Sequence, residues 1–116
     1  MVEITMQVPD QLAQRLRPIY PWLPVVLELS MVGFKTPAVQ TATEILEFLS
    51  SSPSAAEVMG YHVSERGQER LRRLLALNSG GALSTAEQAE LDEIEQIEHI
   101  MILLKTRLKI PPVPEN

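Results

Sequence analysis

The sequence predicts a mainly α-helical fold: a short N-terminal β-strand, then about five helices, closing in an antiparallel helical hairpin with a long C-terminal member. Three observations carry this. Apolar residues alternate with polar ones only once, over residues 3–8. Beyond that point they recur every three to four residues. Capping pairs of the Ser-x-x-Glu type stand at Ser54/Glu57 and Ser84/Glu87, each ahead of a helical pattern. Residues 1–110 are expected to form one mainly helical domain, with the proline-rich residues 111–116 as a flexible tail.

Taken in order, Ile4, Met6 and Val8 form one face of the predicted strand, with Glu3, Thr5 and Gln7 on the other. Pro9 and Asp10 suit the start of a helix, where a missing N–H costs nothing and the dipole favours an acid. Leu12 and Leu16 give it a stripe, and Pro18, Pro21 and Pro24 end it by about Arg17. Pro24 reopens a helix through "VVLELSMV", which is apolar on nearly every face and so predicted to be enclosed by the fold or by a second subunit. Its valines also suit a buried strand; helix is the preferred reading. Gly33 closes it, and Thr36 with Pro37 opens a third helix carrying Ala38, Ala42, Ile45, Leu46 and Leu49.

Ser54 starts a short helix closed by Gly60. Ser64 caps another, striped by Leu71, Leu74 and Leu75 and ending at "NSGG". Ser84 opens a run to about Lys109 without Gly or Pro, about 40 Å long as a helix. Its apolar face comprises Leu91, Ile94, Ile97, Ile100, Met101, Leu104 and Leu108, and Ile102 and Leu103 widen it. A stripe that wide is expected to contact two surfaces, one being the preceding helix and the other a second subunit or partner protein. Six acids fill the first half and Lys105, Arg107 and Lys109 the last turns, as the helix dipole favours.

Composition narrows the function. The 116 residues contain no cysteine, which removes disulfides, thiolate metal sites and a cysteine nucleophile. A net charge of −5, with neither half basic, opposes general nucleic-acid affinity. No basic-then-apolar leader opens the chain, and the most apolar window, residues 22–34, is too short to span a bilayer and holds Glu28. The expected location is the cytoplasm, with no membrane partner.

Chemistry-bearing groups are sparse. Arg66, Arg70, Arg72 and Arg73 look like a phosphate patch, but a short loop folds residues 64–78 back beside the long helix. That is expected to set Arg66, Arg70 and Arg73 against Asp92, Glu95 and Glu98 as a structural salt-bridge face. Glu95 and His99 at i, i+4 with Asp92 nearby fall short of a metal site, because His62 is the only other histidine. The serines at 50, 51, 52 and 54 have neither a nucleophile-elbow pattern nor a histidine partner, and "SGG" follows a helix instead of preceding one. No catalytic residue, metal or cofactor is predicted, and the chain is not expected to be an enzyme. A homodimer is expected, with Ile4, Met6, Val8, Trp22, Val26, Ile100, Ile102 and Leu103 at the dimer or partner interface.

Two resemblances bear on partners. The strand running into "PDQLAQRL" resembles the opening of ribbon-helix-helix regulators, whose paired strands enter the DNA major groove. That resemblance implies readout by Thr5 and Gln7, but the helix is cut short at Pro18 and no Gly-type turn to a second helix follows. The stretches "ITMQVPDQLAQRLRP", "LPVVLEL" and "LRRLLALNSGGALSTAEQAELDEIEQIEHIMILLKTRLK" together resemble a family of small, largely uncharacterised bacterial proteins common in cyanobacteria, some of them antitoxin-like beside toxin partners. The resemblance implies neutralisation of a toxin by protein–protein contact, with DNA binding by the strand. Two classes stay open: an antitoxin-like transcription regulator, and a cytosolic helical interaction or assembly protein without a DNA role.

Overall fold

The computed structural model describes residues 2–109, which form helices and connections only. Residues 2–8 carry no regular secondary structure and enter no backbone ladder, so the expected N-terminal strand is absent from the single chain. The physical reason is plain: a strand exists by pairing, and no second edge lies within the described residues. The expected proline-rich tail, residues 111–116, lies outside the described residues.

Pro9 leads into α1 (Asp10–Leu16), which buries no residue. The prolines then act as anticipated: the chain tightens into a 3-10 segment (Arg17–Trp22) and re-forms α2 (Leu23–Ser30) with Pro24 in its first turn. α3 (Val39–Leu49) begins after a tight turn at Thr36 and Pro37, two residues later than the capping pattern implies. Both predicted capping boxes form. Ser54 and Glu57 exchange bonds of 3.1 and 3.2 Å ahead of α4 (Ala55–Met59). Ser84 and Glu87 exchange bonds of 3.1 and 3.0 Å ahead of α6 (Thr85–Lys109). Between them, Ser64 caps α5 (Glu65–Ser79), which ends in a Schellman motif. There the Ala82 N–H reaches the Leu77 carbonyl and the Gly81 N–H the Asn78 carbonyl, with Gly81 at φ 68°, a conformation only glycine adopts cheaply.

α6 is the axis of the fold. α5 returns along one side of it as the predicted hairpin, while α2 and α4 pack on the others. Leu91, Ile94, Ile97, Ile100, Met101 and Leu104 of α6 are buried against Trp22, Val25, Leu29, Ile45, Leu49, Val58 and Leu74. Each fully buried Leu or Ile contributes about 1.5–3 kcal/mol relative to exposure. The chain's own helices α2 and α4 therefore cover the Ile100 side of the widened stripe, while Ile102 and Leu103 remain outside the core.

Three expected interface residues change role accordingly. Trp22 and Ile100 are each only 8% exposed and belong to the chain's own core, and Val26 is half-buried against it. Ile102 and Leu103 stay exposed. Nor is the segment at residues 22–32 enclosed on every side: Val25 and Leu29 are buried, but Leu27 and Met31 face outward. In α5, Leu74 carries the burial and Leu75 is exposed.

Close packing at the start of α5 gives a test. A Cβ at Gly67 would lie 2.4 Å from Val63 Cγ1, too near for a β-branched side chain with one stiff rotamer. Gly67→Ala is thus expected to forfeit the helix-propensity gain of about 1 kcal/mol and to lower the melting temperature. Adding Val63→Ala to Gly67→Ala restores it. A single Gly67→Ala change that stabilises the protein would show the contact to be slack.

Candidate functional site

Two polar clusters and one bare segment stand out from the helical scaffold. The first cluster lies between α5 and α6. Arg70 reaches across the hairpin and holds Glu90 through both carboxylate oxygens, Nε to Oε2 at 2.7 Å and Nη2 to Oε1 at 2.8 Å. Glu90 is 4% exposed, and its bond raises the pKa of the already basic guanidinium. This bidentate pair is the ion pair found among the described residues, and it departs from the expected salt-bridge face. The α5-facing stripe of α6 runs Glu87, Glu90, Leu91, Ile94, so Asp92 and Glu95 turn away toward α2 and Glu98 lines a separate pocket with His62 and Leu71. Arg66 lines a cavity beside Arg70, whereas Arg73 adds only longer-range attraction for Glu87. A helical register drawn from Ile94 would have selected Glu90: it stands four residues before that core position, on the same face.

Glu87 titrates below its usual value of 4.5, chiefly through the backbone and side-chain bonds of Ser84 and secondarily through Arg70 and Arg73. A lowered folded pKa means that ionised Glu87 favours the native state. Its contribution is complete above pH 4.5 and is lost as the pH falls through the lower folded value. Thermal melts across this acid range should therefore show a steeper loss of stability for the wild type than for Glu87→Gln. Parallel profiles would assign the acid sensitivity to other carboxylates.

The second cluster fastens α3 onto the scaffold. Glu93 accepts from the backbone N–H groups of Lys35 (3.0 Å) and Thr36 (3.3 Å) and from the Thr36 hydroxyl (2.6 Å). That carboxylate holds the turn ahead of α3 from 57 residues beyond Thr36, and the Thr36 hydroxyl in turn accepts from the Ala38 N–H. Nearby, Ser64 donates to Glu44 at 2.8 Å, and Lys105 donates to the Tyr61 carbonyl at 2.7 Å. Tyr61 stacks on Phe48 with ring centroids 4.4 Å apart, and burial, then the Glu44 charge, pushes its hydroxyl pKa up. Long-range contacts of this kind have no local sequence signature.

The bare segment is residues 2–8. Ile4 is 78% and Met6 62% exposed, Val8 is half-buried, and Thr5 and Gln7 are open to solvent. The DNA-reading and interface residues expected here share one accessible stretch but are set apart from Ile102 and Leu103 by chain position and element. Asp92, Glu95 and His99 do come together, beside Glu28 and Met31, along an open groove of about 640 Å³ between α2 and α6. Among the described residues no three His, Asp or Glu side chains converge as a metal-holding group. No helix among them is long and apolar enough to cross a membrane. Neither a family model, nor a curated protein, nor a solved structure matches the chain.

Proposed function

We propose that the chain is an antitoxin-like, non-enzymatic regulator that acts in the cytoplasm by binding a protein partner of the toxin kind and pairs with its own copy through residues 2–8. One observation supports this above the others: a segment whose sequence alternates like a β-strand has its Ile4 and Met6 side chains in water and its backbone unpaired. Such an edge gains a ladder, and its apolar face gains cover, only from another chain. Operator DNA is a secondary ligand in this reading. Thr5 and Gln7 can bond base edges, while Glu3 and the net charge of −5 keep that contact weak.

Co-expression with the product of the adjacent gene tests the proposal. The wild-type chain relieves that protein's growth arrest, and the double change Ile4→Asp, Met6→Asp abolishes relief without lowering the melting temperature. A harmless neighbour, or relief untouched by the double change, overturns it. The second reading, a helical interaction or assembly protein without a DNA role, is favoured by the acidic groove rim of Glu28, Asp92 and Glu95. Anisotropy of a labelled duplex separates the two. Affinity that falls with salt and weakens in Thr5→Ala, Gln7→Ala supports DNA contact, and no binding at low salt supports the assembly protein.

A further inference from the structure

We propose that a second copy of the chain covers the outer face of α6, the two helices lying antiparallel across a two-fold axis beside His99 and Ile100. This rests on the reading that the chain works by association, but it uses an element other than residues 2–8. Residues 92, 95, 96, 99, 102, 103 and 106 are all exposed, and their spacing places them on one side of α6, opposite the core. That face has two dissimilar halves. The first flanks the open groove, with Asp92 and Glu95 at its rim and Met31 and Val32 along it. The second carries Ile102 (61% exposed), Leu103 (38% exposed) and the exposed Arg107.

The division of charge selects the occupant. A partner of uniform sign satisfies one half and opposes the other, and a parallel copy sets acid against acid. An antiparallel copy satisfies both halves at once, because whatever one end of α6 makes with the other copy is repeated by symmetry. Bringing Asp92 level with Arg107 of the second copy puts the axis beside residues 99 and 100. Leu103 then meets the aliphatic stem of Gln96, and the acidic groove rim lies beside the basic end of the opposite helix.

A chain without cysteine makes the geometry directly readable. Under mild oxidation His99→Cys is expected to form a disulfide-linked dimer on a non-reducing gel. Gln88→Cys is not, since at about 1.5 Å per residue its two copies stand about 35 Å apart, far beyond the roughly 7 Å Cα separation a disulfide tolerates. Sedimentation equilibrium supplies the energetic arm: Arg107→Glu weakens dimerisation about tenfold, and combining it with Asp92→Arg restores it. Equal cross-linking at both positions, or none at His99→Cys, overturns the proposal. So does failure of the charge swap to rescue. Repeating His99→Cys with Ile4→Asp, Met6→Asp separates the two interfaces. A link that persists supports the α6 contact whatever becomes of toxin relief. A link lost there assigns association to residues 2–8 and removes the α6 contact.

Discussion

Met101→Glu is expected to lower the melting temperature steeply, whereas Ile102→Glu, one position along the same helix, leaves it nearly unchanged. Met101 is 9% exposed and lies in the core; Ile102 is 61% exposed. A carboxylate forced into the first site faces a cluster of apolar side chains, and the base four residues on, Lys105, is already held by the Tyr61 carbonyl at 2.7 Å. The cost is several kcal/mol, set against a total stability of about 5–15 kcal/mol for a domain of this size. At Ile102 the new charge remains in water and removes only contact with a second chain. Circular dichroism melts read the first effect and sedimentation the second. Equal melting temperatures for the two variants would refute the assignment of inner and outer faces on α6.

Arg70→Ala is expected to lower stability by about 2–3 kcal/mol, because it leaves the Glu90 carboxylate buried without its bidentate partner. Partial exposure of the Arg70 side chain, 39%, keeps the loss below that of a wholly enclosed pair. For a chain of this length the shift in melting temperature is on the order of 10 °C. The informative comparison is the double change Arg70→Met, Glu90→Leu. Removing both charges and retaining the volume should recover most of the loss, since the penalty arises from the unpaired charge more than from the missing attraction. A double variant no more stable than Arg70→Ala would place the loss in packing of the Arg70 stem.

Local rules accounted for a good part of the fold. Ser54, Ser64 and Ser84 cap the helices they precede, Gly81 closes α5, and the prolines at 18, 21 and 24 break the chain where their geometry demands. These are interactions within a few residues, so the sequence carries them in full. The candidate site was less legible. Ile4, Met6, Thr5 and Gln7 were singled out by alternation alone and do lie exposed, yet alternation could not say that no second edge would be present to make them a strand.

The amino-acid sequence by itself determined the helices, their caps and the hairpin of α5 with α6, because periodicity and capping act over three or four residues. Tertiary structure alone decided which acid meets which base and which apolar residues are left over. Glu90, not Asp92, Glu95 or Glu98, receives Arg70; Glu93 holds the turn ahead of α3 from 57 residues beyond Thr36; and the chain's own core takes Ile100, which was expected at a partner interface. The reason is rotation: each residue turns the helix by about 100°, so a shift of one or two positions in how two helices meet exchanges a buried ion pair for a solvated acid.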